Sequence, residues 1–559
     1  MKVTLISLNA KYVHLAPAPY ALGAGVLAFA RRAHTVSVFN GVVGKSRDAL
    51  WARLESERPD AVAFSVYIWN VAEICALVPC VRALLPHAVI ILGGPEVSYS
   101  VENTFSLMPE TDYILSGEGE EPFARLLDAL EAGEDVASVA GCSYRTGDGV
   151  CVATPFVGKG TPPSPLDFGY AEALDGRIAY LEGARGCPYS CAFCLSGRCG
   201  GVRYFDIDRV KNDLLRLANA KTRTVKFVDR TFNADRARAK ELWRFLIEKR
   251  ATGEIPQDVC FHFEIAGELL EDESLALLAA APRGLFQMEI GVQSFHGETL
   301  RAIHRATGNA RLCENIRRLV AMGNIHVHID LIAGLPEEDL ATFRAGFDRA
   351  FSLGAHMLQL GFLKLLHGAP MRESPEAYPC TFEGEPPYTV TSTPLLSAAD
   401  LADISLCEMG CERLYNSGKY SVTLAAALAS GESPYELLRE AGQRLSRLSS
   451  AYTMDDEVAL LLDFFAARLG AARARDLLLL DFLSYNPSCY VPKALRREDG
   501  MLARVKAAVA RCYPQKKGVR RALVLLYTEG VAAFADYDMR DPVTGLYAVR
   551  KIRLNELNC

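Results

Sequence analysis

Three cysteines on one short loop are the residues of this sequence best suited to chemistry. Cys187, Cys191 and Cys194 stand in a C-x3-C-x2-C spacing directly after the largely apolar run 178–184. Thiolates at this spacing can bind three irons of a cubane cluster and leave the fourth iron open to a substrate or a cofactor. Structural zinc sites usually take four ligands in two pairs, and ferredoxin motifs have four cysteines. Because the cysteines are odd in number and crowded, a disulfide does not fit either.

The cysteine loop resembles the cluster loop of the radical S-adenosylmethionine (radical SAM) enzymes. Those enzymes share its spacing and its aromatic residue before the last cysteine, which is Phe193 in this chain. The resemblance implies that the three cysteines bind a [4Fe-4S] cluster and that Phe193 contacts the bound cofactor. It also implies that the open iron chelates S-adenosylmethionine (SAM), which the reduced cluster cleaves to give a 5′-deoxyadenosyl radical. That radical abstracts a hydrogen from an unreactive carbon.

The composition of the chain is that of a multidomain globular protein. Its 559 residues suffice for several domains of ~100–200 residues, and 50% of them are hydrophobic. A net charge of −6 gives no general attraction to nucleic-acid phosphate. No run reaches the ~18 apolar residues of a membrane span. With sixteen scattered cysteines and no signal-peptide pattern at residues 1–8, we expect a cytoplasmic, anaerobic protein.

Residues 1–135 alternate short apolar strands with amphipathic helices. Strands are predicted at 3–8, 36–39, 61–65, 89–92 and 113–115. Five such units predict a doubly wound, flavodoxin-like parallel sheet, whose ligands lie beyond the carboxyl ends of the strands. Four of these ends carry polar or glycine-rich motifs, namely NAK (9–11), SVY (65–67), GGPE (93–96) and SGEGE (116–120).

The GGPE and SGEGE motifs, placed ahead of the cysteine loop, resemble the cobalamin-binding domain of many radical SAM methyltransferases and cyclases. Taken singly, each glycine pair also fits a tight turn between a strand and a helix. The resemblance implies contacts to cobalamin from Ser65, Gly93, Gly94, Gly117 and Glu118.

The cobalt ligand is where the chain departs from some cobalamin domains. The D-x-H-x-x-G motif that places a histidine on cobalt does not occur, and His14 and His34 do not fit it. We therefore expect cobalamin to bind without a protein histidine ligand. Tyr67 and Trp69 fit either a contact with the corrin or a place at the edge of the core.

After a break, the chain again alternates strands with helices. Residues 136–177 include TPPSP at 161–165 and predict a stiff linker. Strands at 179–184, 225–228, 260–265, 287–292, 326–332 and 357–363 then predict a (β/α)6 partial TIM barrel with its site at the carboxyl ends. The predicted domains are a cobalamin-binding-like domain at 1–135, the linker at 136–177, a radical SAM barrel at 178–370 and a mainly helical domain at 371–559.

Polar residues at the later strand ends resemble, in order and spacing, the SAM contacts of coproporphyrinogen-type radical SAM enzymes. A carboxylate can hold the ammonium of SAM, arginine can pair with its carboxylate, and Asp or Gln can bind ribose hydroxyls. The usual glycine run after the second strand is missing, and each residue alone also fits a surface or capping role. The resemblance implies contacts to SAM from Asp229, Glu264, Glu289, Gln293, Arg305, Asp330 and Ile332.

Residues 371–559 match no motif of known mechanism. They predict amphipathic helices and a terminal strand pair at 522–527 and 545–550. The region resembles an uncharacterised domain found on a subgroup of cobalamin-type radical SAM proteins. Cys407 and Cys411 lie four apart on a predicted helix, which fits buried structural thiols better than a second cluster.

Together these resemblances imply an enzyme that methylates an unactivated carbon of an unknown small-molecule or peptide substrate. Cobalamin would carry the methyl group, and a flavodoxin or ferredoxin would be the reductant; we expect no membrane or nucleic-acid partner. Two alternatives remain open. A cobalamin-assisted radical cyclisation or rearrangement would use the same domains, and a cobalamin- or redox-sensing binding protein would hold the cofactors without turnover.

Overall fold

The computed structural model describes residues 1–305, 308–449, 451–497 and 500–556. The described residues form two compact units, and neither unit is one continuous stretch of sequence. The first unit comprises Met1–Leu269, Arg301–Arg305 and Leu363–Thr391, and the second comprises the other described residues. Among the described residues, no helix has both the length and the apolar character that crossing a membrane requires.

The first unit begins with a seven-stranded sheet in the order β2-β1-β3-β4-β5-β6-β7. Strands β1 to β5 run parallel, and this order confirms the flavodoxin-like prediction. Its strands are β1 (Lys2–Asn9), β2 (Thr35–Val42), β3 (Ala61–Ser65), β4 (Val89–Gly93), β5 (Tyr113–Leu115), β6 (Cys142–Thr146) and β7 (Gly149–Cys151). Its helices are α1 (Ala18–Phe29), α2 (Arg47–Glu57), α3 (Val71–Leu84), α4 (Pro95–Ser98), α5 (Val101–Leu107) and α6 (Glu120–Ala132).

Helices cover both faces of this sheet because its strands are apolar on both sides. In β1, Ile6 and Leu8 belong to one core cluster, and Val3 and Leu5 belong to another. Every residue of β3 is buried, as expected for a central strand of a parallel sheet. Helix α6 is followed by Gly133, whose left-handed φ of +70° suits the residue that caps a helix C-terminus.

The stretch predicted as a linker includes the antiparallel strands β6 and β7. They extend the first sheet beyond β5. Within the same stretch, Pro165–Phe168 forms one turn of 3-10 helix. The predicted domain boundaries stay predictions.

The region after residue 178 contains a second sheet of six strands. In the first unit, β11 lies parallel between β8 and β12. In the second unit, β14 lies parallel between β13 and β15, so the predicted α/β class is confirmed. The strands of this region are β8 (Ala179–Leu181), β9 (Ala184–Cys187), β10 (Gly201–Tyr204), β11 (Thr224–Phe227), β12 (Cys260–Ile265), β13 (Phe286–Gln293), β14 (His326–Ala333) and β15 (Met357–Phe362). Its helices are α7 (Ile207–Ala218), α8 (Arg236–Ala251), α9 (Asp272–Ala279), α10 (Gly297–Ala302), α11 (Asn309–Met322), α12 (Leu340–Phe351) and α13 (Pro370–Glu373).

The rest of the chain is mainly helical, as predicted. Helices α14 and α16 cross closely, since a Cβ added to Gly442 would lie 1.8 Å from the carbonyl oxygen of Leu406. A π-helix, Cys411–Asn416, follows α14. The elements are β16 (Thr381–Phe382), β17 (Val390–Ser392), α14 (Ala398–Gly410), α15 (Ser421–Leu428), α16 (Pro434–Leu445), α17 (Met454–Leu469), α18 (Ala471–Tyr485), α19 (Gly500–Cys512), β18 (Arg521–Leu526), β19 (Val531–Asp536) and β20 (Val549–Arg553).

The predicted terminal strand pair was wrong in its pairing. Strand β19 lies between β18 and β20, and both pairings are antiparallel. The prediction missed β19 because its sequence, VAAFAD, is rich in alanine, a residue with low strand propensity.

Candidate functional site

The cysteine loop is closed by a two-stranded ribbon formed by β9 and β10, called here the cysteine ribbon. Its antiparallel register places Cys187 opposite Gly201 and Arg185 opposite Arg203. The loop itself is held through its backbone at Ala192. The Ala192 N–H donates to the carbonyl of Ile303 (3.1 Å), and the Ala192 carbonyl accepts from the N–H of Met371 (3.0 Å). Three separate stretches of the first unit thus fix the loop.

The three predicted cluster ligands lie together in this loop. Cys191 is 6% exposed, and Cys187 and Cys194 are partly buried. Burial raises the pKa of the Cys191 thiol, the Arg305 guanidinium opposes this, and the thiols of Cys194 and Cys187 add to the increase. The Nη1 atom of Arg305 lies 3.9 Å from the Sγ atom of Cys191. Clustered thiols beside a guanidinium suit an anionic iron–sulfur cluster, so the residues present fit that group.

Phe193 and Asp229 are placed near the same loop by different elements. Phe193 is half-buried within the loop itself. Asp229 follows β11 and is buried, and its Oδ1 atom accepts a hydrogen bond from the N–H of Gly183 (2.7 Å). Burial raises the pKa of Asp229 to about 7, against the effect of the backbone N–H donors of Gly183 and Ala184. Asp229 therefore supports the chain just before the cysteine ribbon.

Glu264, at the end of β12, faces two cations of the first unit. Its carboxylate oxygens lie 3.6 Å from Lys226 Nζ and 3.6 Å from Arg230 Nη1. These distances are those of loose ion pairs, and each contributes little to stability in a partly exposed position.

In the second unit, the structure brings Glu289 and Asp330 together through a histidine that the sequence analysis did not single out. His328 Nε2 lies 2.8 Å from Asp330 Oδ1, and His328 Nδ1 lies 3.8 Å from Glu289 Oε2. The signal was available in the sequence, because His326, His328 and Asp330 alternate along one strand and so share a face. The group offers ligand atoms within 4.8 Å of one another, which suits a cationic ligand group.

Gln293 and Ile332 lie at the ends of β13 and β14 in the same unit. The register between these strands shifts between Gly291 and Gln293. Gln293 has a φ of +68°, which is uncommon for a residue with a side chain. Bulges and strained residues of this kind occur often beside functional sites. Ile332 is half-buried and pairs with Gly361 of β15.

The carboxyl edge of the first sheet carries an aromatic pair, of which Trp69 is exposed and Tyr67 half-buried, at the point where the strand order reverses. The carbonyl of Leu8, in β1, accepts hydrogen bonds from Trp69 Nε1 (3.2 Å) and Asn70 Nδ2 (3.0 Å), which follow β3. Tyr67 stacks on Trp69 with ring centroids 4.4 Å apart and planes 6° apart, and Trp69 is 46% exposed. An exposed flat aromatic surface at this edge fits a large planar ligand such as a corrin.

The glycines predicted at this edge allow neighbouring backbones to approach. Gly94 has a φ of +115°, and a Cβ added there would lie 2.3 Å from the carbonyl oxygen of Val66. Gly117 has a φ of +90°, and a Cβ added there would lie 2.2 Å from the carbonyl oxygen of Phe156. A Cβ on Gly93 would make only an ordinary contact, 3.5 Å from the Leu115 carbonyl oxygen. The first two positions therefore require glycine for the fold itself.

Ser65 and Glu118 complete the predicted set at this edge. Ser65 is buried, and its carbonyl accepts a hydrogen bond from Asn70 Nδ2 (3.0 Å). The Glu118 carboxylate pairs with Arg185 and Arg203 of the cysteine ribbon, each at 2.6 Å. The roles of both residues toward a cofactor stay predictions.

His14 and His34, the two histidines weighed as cobalt ligands, have other partners. His14 Nδ1 lies 2.7 Å from the hydroxyl of Tyr180. His34 lies between Asp128 (3.1 Å) and Glu131 (3.2 Å). The side chain of His34 is therefore buried with both ring nitrogens paired, and Nδ1 of His14 is already engaged.

Three sequence profiles match the chain in this order. The B12 binding domain matches residues 14–127, the radical SAM superfamily matches residues 181–349, and a protein of unknown function (DUF4080) matches residues 376–524. The cobalamin-dependent radical SAM methyltransferase TokK of Streptomyces tokunonensis is 29% identical over 334 residues, which cover 56% of this chain and 48% of TokK. The chain thus spans about half the length of this curated relative.

Solved structures show the same fold. The cobalamin-dependent SAM radical enzyme OxsB, with aqua-cobalamin bound, superposes with a TM-score of 0.60 at 15% identity, covering 92% of this chain and 82% of OxsB. The radical SAM methyltransferase TsrM from Kitasatospora setae, with cobalamin and a [4Fe-4S] cluster bound, gives a TM-score of 0.55 at 21% identity, covering 66% of this chain and 76% of TsrM.

Proposed function

We propose, since this chain is a radical SAM protein with an N-terminal B12-binding domain, that it is a cobalamin-dependent enzyme that methylates an unactivated carbon of a small molecule. The observation that carries the proposal is the arrangement of the cysteine loop. Three thiols lie together, and the guanidinium of Arg305 is 3.9 Å from the Sγ atom of Cys191. Besides suiting the anionic cluster, a guanidinium there can pair with the carboxylate of SAM, which a cofactor-sensing protein has no need to bind.

The residues of this chain would divide the work of holding the cofactors. Cys187, Cys191 and Cys194 hold the cluster, and Arg305 pairs with the carboxylate of SAM. In the same unit as the cysteines, the carboxylates of Asp229 and Glu264 at the strand ends would meet the ammonium of SAM. The edge that carries Trp69 binds the corrin. When bound, the cluster supplies the electron that cleaves SAM, and cobalamin supplies the methyl group. Methylation is preferred to cyclisation because TokK, which is 29% identical over 334 residues, is a methyltransferase.

The test is made on protein purified without oxygen and loaded with iron, sulfide and hydroxocobalamin. With a reductant and SAM carrying a deuterated methyl group, we expect about four irons and one corrinoid per chain, and release of 5′-deoxyadenosine. A substrate pool from the host extract should gain a deuterated methyl group on carbon. Four irons with 5′-deoxyadenosine but no corrinoid would exclude methyl transfer through cobalt. Absence of 5′-deoxyadenosine would leave only the binding-protein alternative. Comparing flavodoxin with ferredoxin in the same assay tests the proposed reductant.

The bound Co(II) form should show no nitrogen splitting from a protein histidine in its electron paramagnetic resonance spectrum. The reason is that the chain lacks the D-x-H-x-x-G motif, and that His14 and His34 contact Tyr180 and Asp128 instead. The spectrum of protein labelled with 15N-histidine should match that of unlabelled protein, which also separates a protein ligand from the base of cobalamin itself. A spectrum that changes with the label would show that a histidine binds cobalt.

The affinity for SAM should rise with pH up to about 7 and then level off. Burial raises the pKa of Asp229 to about 7, so the carboxyl is largely neutral in the free protein below that pH. If Asp229 meets the ammonium of SAM, binding must remove this proton, and the affinity falls about tenfold per pH unit below pH 7. Calorimetric titration between pH 6 and 8 measures this. In Asp229→Asn the affinity should be lower and independent of pH; an unchanged pH profile would mean that Asp229 does not meet SAM.

A further inference from the structure

Two arginines face each other across the cysteine ribbon. Arg185 and Arg203 are paired directly across its two strands. In the ribbon, Cys187 and Gly201 form the next facing pair but one, where the cysteine loop begins and ends. Like charges directly opposite each other destabilise an antiparallel pair. Both guanidinium groups also lie near the buried ring of Phe205, at 5.6 and 5.9 Å from its centroid, so water screens them poorly.

One carboxylate from the loop after β5 forms ion pairs with both arginines. The Oε2 atom of Glu118 lies 2.6 Å from Arg185 Nη1 and 2.6 Å from Arg203 Nη2. Two further carboxylates, of Glu120 and Glu182, pair with Arg185, at 2.5 and 2.7 Å. Although burial acts in the opposite direction, hydrogen bonds from Arg203 and Arg185 hold the pKa of Glu118 below its usual value. Glu118 is the acidic group that the two arginines share.

The position of Glu118 is fixed by its backbone. Its N–H donates to the carbonyl of Phe156 (2.9 Å), next to the close contact that requires glycine at position 117. A Cβ added to Gly158 would lie 3.1 Å from Glu118 Oε2, so the carboxylate is enclosed on that side as well. The loop after β5 therefore presents this carboxylate in one place, whatever the ribbon does.

We propose that Glu118 is a positioning residue for the cluster: its carboxylate holds the facing arginines of the cysteine ribbon, so that the B12-binding domain keeps the cysteine loop in its cluster-binding form. This deepens the proposed function and rests on it in one respect, the binding of a cluster by the cysteines. It assigns to Glu118 a task other than the cobalamin contact that the sequence motif implied. Loading of the cluster then depends on a residue outside the radical SAM region, and cobalamin binding does not depend on that residue's charge.

The first measurement is hydrogen exchange in the cofactor-free protein, which needs no activity. In Glu118→Gln, the amides of residues 184–187 and 201–204 should exchange at least about tenfold faster than in the wild type, because one carboxylate is lost between two poorly solvated cations. The matched control is Glu121→Gln, in the same segment, where the lost partner is a single Arg125 at 3.4 Å. In this control, the amides of the ribbon should exchange at the wild-type rate. Equal exchange in Glu118→Gln and wild type would overturn the proposal.

The second measurement is a rescue that a merely local packing role would not give. Adding Arg203→Gln to Glu118→Gln removes the facing like charge, so protection of the ribbon and iron retention after loading should recover toward the wild type. Hydroxocobalamin binding should stay within about twofold of wild type in both variants. If the double variant is no better protected than Glu118→Gln, the arginine pairing is not what Glu118 serves. If Glu118→Gln loses cobalamin while the ribbon stays protected, Glu118 is a cofactor contact instead. Should the wild type bind no iron, the proposed function fails, while the exchange result still decides the role of Glu118.

Discussion

Replacing Cys191 by alanine should abolish the cluster and with it all cleavage of SAM. Cys191 is the most buried of the three thiols of the loop, and Arg305 lies against its sulfur at 3.9 Å. With only Cys187 and Cys194 remaining, the loop has too few thiolates to retain a cluster of this type. Iron should fall from about four per chain to below about one, and 5′-deoxyadenosine by about a thousandfold or more, because the radical chemistry belongs to the cofactor.

The control for this change is Cys80→Ala, which removes an exposed cysteine from helix α3. It should keep the iron content, the absorbance of the cluster and the rate of SAM cleavage. Cobalamin binding should survive in both variants, since the first sheet is untouched. Cluster absorbance and 5′-deoxyadenosine in Cys191→Ala at wild-type levels would contradict the three-cysteine assignment.

Replacing Gly94 by alanine should destabilise the B12-binding domain and remove cobalamin binding. The new Cβ would lie 2.3 Å from the carbonyl oxygen of Val66, at a φ of +115° that side chains rarely adopt. Val66 cannot move away freely, because its N–H donates to the carbonyl of Gly93 (2.7 Å). Strain and the lost hydrogen bond together should cost about 3 kcal/mol or more.

Gly133→Ala separates the effect of a positive φ from the effect of the close backbone contact. Gly133 also has a positive φ, +70°, but nothing lies within 4 Å of its added Cβ. Its cost should be about 1 kcal/mol, the cost of the left-handed conformation alone. Urea unfolding followed by far-ultraviolet circular dichroism, with cobalamin absorbance as a second signal, measures both variants. Equal losses in the two variants would mean that the backbone contact at Val66 does not matter.

The sequence predicted well those features that depend on local pattern. Strand β3 has four consecutive apolar residues before Ser65 because it is buried on both faces. The cysteine spacing is a property of the loop alone. The same holds for β12, whose predicted and observed bounds agree at Cys260–Ile265. A pattern of this kind needs no knowledge of distant partners, so it can be read from one chain.

Features that depend on distant partners could not be predicted in the same way. Strands β9 and β10 are four residues each and carry glycine, cysteine and arginine in place of an alternating apolar pattern. The pairing of Glu118 with Arg185 joins residues 67 positions apart. His328 alternates with Asp330 in the sequence, but only its side-chain geometry shows that it joins Glu289 to Asp330.

The π-helix that follows α14 covers part of the edge strand β15. Its last residue, Asn416, binds both the N–H and the carbonyl of Leu358, at 2.8 and 2.9 Å, on the outer side of the edge strand β15. Exposed edge strands invite pairing with other chains. A fragment that ends before α14 would leave this strand edge bare and should aggregate on expression. We therefore expect a radical SAM fragment that lacks the helical region to associate with itself, and the full chain not to do so.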